Sequence, residues 1–468
     1  MAGAALTHGI GFQEARGRPK GVLGFPENDR SWKGGVLFMR LELHKLFVKQ
    51  LKFGDKTGFS GGTLTVNKKE LLDLIAEDPL LGKNLDVDLA MPGESVRIMP
   101  VKDVVEPRWK IEGKGQVFPG ILGDVETVGE GKTLVLSGAA VVTAGKLVRF
   151  QEGIIDMTGP GAEYTPYSET CNVVLVLEPS DPEMDKHDYE KACRVAGIKA
   201  AAYLAKACAD VKAEKVEIYN QANIKEAMWA HPGLPKVGYL YMLQTQGLLH
   251  DTYLYGVDVK KILPTVLSPL EVMDGAIASG NCVSACDKNS TYSHQNNPII
   301  ADMLKRHGRD FNFVTCIVTN ENVTLADKRR SSTYATKLAA MLGLDGVVIS
   351  EEGFGNPDAD LVMNCWKAER LGIKTTLMTD EYAGQDGASQ SLADSCPEGD
   401  ACVTAGNANE VIVLPPMQKV IGYAEEANVI AGGWQGSLAE DGTITVELQA
   451  ITGATSELGY TKLGAYTL

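Results

Sequence analysis

Cysteine is the first scarcity. The 468-residue chain has nine, an odd number, scattered without a framework spacing. In a chain of this size that points to reduced thiols in a cytoplasm and not to a disulfide scaffold. The closest pair, Cys282 and Cys286, is spaced C-x3-C, with Cys396 and Cys402 further on. Neither spacing is the CxxC of a zinc ribbon or a dithiol redox site, and no histidine cluster stands nearby. No metal centre is therefore expected, and a Cys282/Cys286 redox pair has little support. Positive charge is scarce too: 45 Lys and Arg against 60 Asp and Glu give a net charge of -15. With no basic block anywhere, a nucleic-acid or anionic-membrane partner is excluded. No uncharged apolar run is long enough to span a bilayer. No GxxxxGK[ST] loop is present and no GxGxxG follows a strand, so nucleotide binding is unsupported.

What is present is an ordinary globular composition, 44% hydrophobic, over a length that calls for two or more domains. Residues 1–38 are Gly-rich and aperiodic. Trp32-Lys-Gly-Gly35 can be encoded by a purine-rich ribosome-binding sequence just upstream of Met39, so translation is expected to begin at Met39, with 1–38 a non-native leader. From Met39 to about residue 150 the pattern is β-rich. Thr63–Val66 and Leu85–Leu89 alternate with period two, and Asn67 followed by Glu70 caps a short helix between them. Thr133–Leu136 and Ala139–Val142 read as further strands.

Beyond Cys171 the grammar changes to alternating strand and helix. Val173–Leu177 is a continuous apolar run of the kind buried on both faces of a sheet, and residues 186–211 form an Ala-rich helix. Ser268-Pro-Leu-Glu271 starts a helix with an N-cap, a first-turn proline and a capping glutamate. Asn297-Pro298 starts another, stopped by Gly308. A βαβαβ series follows: Phe313–Thr319, a helix over 324–343, Val347–Ser350, a helix over 356–372, and Lys374–Thr379. Glu410–Leu414 is a further strand. The expected fold is α/β: a β-rich domain over 39–170, then a larger three-layer α/β domain over 171–468 with a mostly parallel sheet.

In such sheets ligands bind beyond the carboxyl ends of the strands. Three successive strand ends here carry Glu321, then Glu351 and Glu352, then Asp380 and Glu381. That concentration of carboxylates suits an ammonium-bearing small molecule or a cation; the plain alternative is solvated loop charge near helix N-termini. The polar stretch 280–297 follows a well-capped helix and adds Asp287, Lys288, His294 and Asn297 as second candidates, against its reading as a surface loop.

One junction stands out. The turn-rich run Thr158–Thr170 stops at Cys171, and an apolar strand begins just after it. A thiol that follows a hydroxyl residue on a strained loop can attack the preceding carbonyl. That N-to-S acyl shift can end in chain cleavage, with the cysteine converted to an N-terminal pyruvoyl group. The alternative is a structural cysteine at a strand edge.

Four stretches carry a family resemblance: Met39-Arg-Leu-Glu-Leu-His-Lys45, Phe53-Gly-Asp-Lys-Thr57, Glu152–Val176 around Ser-Glu-Thr-Cys171, and Gln449-Ala-Ile-Thr-Gly-Ala-Thr-Ser-Glu-Leu-Gly459. Together they resemble the pyruvoyl-containing proprotein of glycine/sarcosine/betaine reductase component B, and more distantly the proline reductase proprotein. The resemblance runs from Met39 over the rest of the chain. It implies cleavage at Thr170–Cys171, with Thr170 supplying the carbonyl and Cys171 becoming the pyruvoyl cofactor. It implies an oxidoreductase that opens the C–N bond of glycine, sarcosine or betaine, the ketone acting as electron sink for an amine substrate. The implied partners are a selenocysteine-containing subunit of component B, selenoprotein A, and the acetyl-phosphate-forming component C. Betaine is quaternary and cannot condense with a ketone, so the residues do not choose among the three substrates. Readings of a different class are a non-catalytic α/β binding or scaffold protein, and a pyruvoyl-dependent decarboxylase.

Overall fold

Two six-stranded sheets organise the chain. The computed structural model describes residues 38–247, 252–281 and 283–459; the expected leader, apart from Phe38, and Cys282 lie outside them. In the first sheet the strand order is Gly153–Asp156, Val96–Val105, Ala139–Gly145, Cys171–Leu177 and Asp86–Ala90, with Lys419–Gly422 added alongside Val96–Val105. Val96–Val105 is buried at every position, although it carries Arg97, Lys102 and Asp103. Each of these finds a partner, as buried charge must. Arg97 makes a two-point pair with Asp156 at 2.6 and 2.8 Å, Lys102 donates to the Gly145 carbonyl at 3.2 Å, and Asp103 accepts from Thr291 at 2.6 and 3.0 Å.

Cys171–Leu177 pairs in parallel with Ala139–Gly145 and antiparallel with Asp86–Ala90. The hydrogen-bond ladder therefore ties the residues on the two sides of the 170/171 junction into one sheet. The expected division into a 39–170 domain and a 171–468 domain does not mark a seam between folded units, because Leu37–Leu468 clusters as one.

The second sheet has the order Thr265–Leu267, Asn312–Asn320, Lys236–Leu243, Gly346–Ser350, Lys374–Glu381, Cys402–Asn407. All pairings are parallel except at the Thr265–Leu267 edge. The α/β expectation holds here: the helices Leu325–Met341 and Asn356–Arg370 form the predicted crossovers. Thr324 caps the first by accepting from the Asp327 amide. Both helices pack on the face that carries Leu240, Met242, Ile317 and Ile349. The opposite face, with Tyr239, Tyr241, Phe313 and Cys316, is covered by Ile299, Ile300 and Met303 of the helix Pro298–Arg306 and by Leu41, Leu43 and Val135.

The five parallel strands, taken in chain order, lie in space as second, first, third, fourth, fifth. The order reverses between Lys236–Leu243 and Gly346–Ser350, and at such a switch point the loops leave in opposite directions and open a crevice. Val411–Leu414 forms as a strand but pairs antiparallel with Ile444–Glu447 in a separate two-stranded sheet. No helix among the described residues is long and apolar enough to cross a membrane.

Candidate active site

The crevice at the switch point is real and polar. Past Leu243 the chain runs Gln244-Thr245-Gln246, and past Ser350 it runs Glu351-Glu352-Gly353. Between them lies a cavity of about 310 Å³, lined by Gln244, Gln246, Gly353 and Phe354 from the strand ends and by Val283, Ser284 and Asp287 from the polar loop. Phe150 and Phe354 also line it and are 41% and 40% exposed, an apolar rim over a polar floor.

Beneath the rim the strand-end carboxylates hold one another's loops. The Glu352 amide donates to Glu321 Oε1 at 2.8 Å. Glu352 Oε2 accepts from the Gln244 amide at 2.8 Å and from Thr252 Oγ1 at 3.0 Å. The Gly353 amide donates to Glu457 Oε1 at 3.0 Å, and Thr455 Oγ1 donates to Asp380 Oδ2 at 2.8 Å. Thr379 Oγ1 donates to Glu351. All of these carboxylates are at most 1% exposed. Burial pushes the carboxyls of Asp287, Glu321, Glu351, Asp380 and Glu457 well above their usual range, and neighbouring carboxylates push them further. Desolvation penalises the charged form and like charges compound it, so each favours the form that holds a proton.

His294 sits fully buried between two partners, with Nδ1 2.6 Å from Tyr241 Oη and Nε2 3.8 Å from Glu352 Oε1. Burial lowers its pKa to about 3, with the nearby Lys288 charge adding to the shift. The ring is neutral at physiological pH.

Of the sequence candidates, Glu321, Glu351, Glu352, Asp380, Asp287 and His294 converge on this place. Glu381 stays half-buried at its strand end, and its side chain enters none of the described hydrogen bonds. Lys288 is near enough for its charge to act on His294, but its ammonium donates to the Lys102 carbonyl. Asn297 caps the helix Pro298–Arg306, accepting from the Ile300 amide at 3.0 Å. Gln244, Cys286, Thr455 and Glu457 belong to the site and were not foreseen. The signal for the last two is the polar run Thr455-Ser456-Glu457, all of it at most 1% exposed.

Thr170 and Cys171 lie on the other sheet. Cys171 is 3% exposed and packs in an apolar core with Leu136, Ala139 and Val173. Its amide donates to the Gly138 carbonyl at 2.8 Å, and burial, with a smaller push from Glu94, raises its thiol pKa. Thr170 has φ -100° and ψ 150°, ordinary extended backbone without the strain that the junction chemistry calls for. Its hydroxyl donates toward Asn172 Oδ1 at 2.7 Å and the Tyr167 carbonyl at 3.0 Å. Thr170, not Cys171, lines a separate cavity of about 760 Å³.

Residues 39–466 match the family model described as glycine/sarcosine/betaine reductase component B subunits. The chain is 60% identical over 431 residues to the glycine reductase complex component B subunits alpha and beta of Acetoanaerobium sticklandii, covering 92% of this chain and 100% of that one. It is 53% identical over 427 residues to the sarcosine reductase complex component B subunit alpha of Peptoclostridium acidaminophilum, covering 91% and 99%. A more distant likeness, 22% over 357 residues, reaches the D-proline reductase proprotein of Acetoanaerobium sticklandii, covering 71% of this chain and 53% of that one. No solved structure matches the chain.

Proposed function

The chain belongs to the glycine/sarcosine/betaine reductase component B family and is a subunit of an amino-acid reductase, and from that premise we propose that it is a self-cleaving proprotein whose pyruvoyl group binds glycine at the switch-point cavity. The relative named for two subunits aligns along its whole length with this single chain, and that supports processing of one chain into two. A cysteine following a carbonyl that it can attack is the chemical requirement. Thr170–Cys171 and Asn281–Cys282 both meet it. Each junction adjoins a cavity, Thr170 the one of about 760 Å³ and Val283 and Ser284 the switch-point one; the observation that carries the choice is that the switch-point cavity lies against the buried strand-end acids, whereas Cys171 itself is enclosed by apolar side chains. Asn281, which precedes Cys282, is 5% exposed, and its Nδ2 has no hydrogen-bond partner among the described residues. We therefore assign the junction to Asn281–Cys282 and keep Thr170–Cys171 as the alternative outcome.

The pyruvoyl ketone supplies an electron sink for the substrate amine. The chain's own residues do the rest. Gln244 and Gln246 offer amide groups at the cavity wall, and Phe150 and Phe354 limit water at its mouth. Reductive C–N cleavage needs a proton for the departing amine, and Glu321, kept neutral by burial beside Glu352 and Glu351, stores one in the network that frames the cavity. A separate selenocysteine-containing subunit supplies the nucleophile at the substrate carbon, and further components carry the product to acetyl phosphate, in a cytoplasm that keeps the other thiols reduced.

Denaturing gel and mass spectrometry of the purified protein test this. The expected result is one fragment ending at Asn281 and a second blocked to Edman degradation. Fragments meeting at 170/171 would move the cofactor to Cys171. An intact chain with both thiols free would refute the processing altogether. Borohydride reduction with labelled glycine is expected to fix the label on the blocked fragment.

A further inference from the structure

We propose that Cys286, Asp287 and Asp380 form a divalent-metal site of zinc-type chemistry beside the cavity, and that the bound ion receives the carboxylate of the substrate. The second half rests on the amino-acid substrate proposed above; the first half does not.

The three residues are fully or almost fully buried, and one ligand atom from each lies within 4.8 Å of the others. Tetrahedral ligands at metal–ligand distances of about 2.0–2.3 Å lie about 3.3–3.8 Å apart, so small side-chain shifts would close the three around one ion. The independent observation is the state of the oxygens. Asp287 is 0% exposed, yet among the described residues neither of its carboxylate oxygens has a hydrogen-bond partner. Asp380 uses Oδ2 to accept from Thr455 at 2.8 Å, and its Oδ1 has no partner among the described residues. A buried carboxylate without partners is costly unless a proton or a cation compensates it, and a coordinated ion would satisfy both residues at once.

The donor set narrows the metal. One thiol with two carboxylates is a borderline-soft set that suits zinc-like ions over magnesium or calcium. Three protein ligands leave one tetrahedral position open, the arrangement of reactive zinc sites and not of closed structural ones. Asp287 belongs both to this cluster and to the cavity lining, so the open position adjoins the space where the substrate sits. Charge supplies the reason for an ion there. The described residues that line the cavity include Asp287 but no lysine or arginine, and Lys288 is committed to the Lys102 carbonyl. An amino acid entering carboxylate-first would meet Asp287 and neutral amides with no cation to pair with; a divalent ion reverses that sign. The sequence hid the site because its ligands come from two distant segments and no CxxC or histidine pattern announces it.

The full chain, stripped with a chelator and titrated with cobalt(II), tests the inference. Uptake of one cobalt per chain is expected, with a thiolate-to-cobalt absorption band. Cys286→Ser should abolish that band and Asp380→Asn should weaken binding at least tenfold, while Asp441→Asn, on the exposed surface, should bind as the parent does. If Cys286→Ser does not fold, X-ray absorption of the cobalt-loaded parent should still show one sulfur ligand. Glycine and acetate should shift the cobalt spectrum and methylamine should not. No stoichiometric uptake, or a spectrum unchanged in folded Cys286→Ser, overturns the site; a shift with methylamine but not with acetate overturns the carboxylate role. None of these readings requires processing, so an uncut chain that binds cobalt would refute only the proposed function.

Discussion

At the scale of single residues, titration separates the site from the rest of the protein. His294, with its pKa lowered to about 3, stays neutral in the folded chain, while unfolding returns it towards 6.5. The unfolded state therefore binds the extra proton, and this group's contribution to stability is present above 6.5 and is lost as pH falls towards 3. The buried carboxyls have the opposite sign. Glu321, Glu351, Asp380 and Glu457 are raised by burial, so the folded chain keeps protons that the unfolded chain releases above its ordinary carboxyl pKa. Their contribution is whole at low pH and is lost as pH rises. Above about pH 7.5 the histidine is almost wholly neutral in both states and the carboxyls decide the slope. With chelator present, the unfolding temperature by calorimetry should fall steadily from about pH 7.5 to 9; a rising curve would mean that the acids are ionised in the fold. The cysteines give a second test at this scale. Cys282→Ala should leave the chain uncut, and Cys171→Ala should be cut while losing roughly 1 kcal/mol from a shrunken core contact. Cleavage that survives the first change and fails in the second would return the junction to Thr170–Cys171.

Secondary-structure elements show which features local sequence encodes. Helix starts were legible because caps are local chemistry: Ser268 and Glu271 make the full reciprocal box, and Asn67 accepts from the Glu70 amide as expected. Strands with clean alternation or unbroken apolar runs were legible too. Two central strands were not. Val96–Val105 contains a proline and buried charges, whose partners Asp156 and Thr291 are far away in sequence. Lys236–Leu243 reads as a short aromatic and aliphatic run that fits a strand or a helix segment equally. It inserts between two strands that are consecutive in the expected series, and this insertion creates the switch point. The site was half legible for the same reason. Strand-end acids follow from topology, but Cys286, Thr455 and Glu457 reach it only through packing of the polar loop and the C-terminal block onto Gly153–Asp156. Gly153 is the contact point, since a Cβ there would lie 2.4 Å from Ala285 Cβ and 2.5 Å from Thr452 Oγ1. Gly153→Ala should cost about 1–3 kcal/mol by overpacking, read as a lower urea midpoint. An unchanged midpoint would show that the loop and the block are free to move apart.

The whole molecule determines what processing can do to it. A cut before Cys282 leaves residues 1–281 and 282–468, and both six-stranded sheets draw strands from the two pieces. Lys236–Leu243, in the first piece, lies between Asn312–Asn320 and Gly346–Ser350 of the second and bonds to both. In the other sheet Lys419–Gly422 pairs with Val96–Val105, and Ile451 bridges to Ile154. Each piece alone would expose parallel strand edges and the apolar faces that the other covers, a state with unpaired backbone groups and a strong tendency to aggregate. The proposed cleavage would therefore free a new chain end at the site without freeing a subunit, which is what a covalent cofactor at that end would require: the reactive group would stay fixed against the walls that orient it. Both fragments should co-elute in one peak on size exclusion in native buffer, separate only on a denaturing gel, and unfold together at a single urea midpoint. Residues 1–281 expressed alone should be insoluble or unfolded by circular dichroism. Two native peaks, or a folded 1–281 fragment, would show that the sheets are not shared in the way the strand order describes.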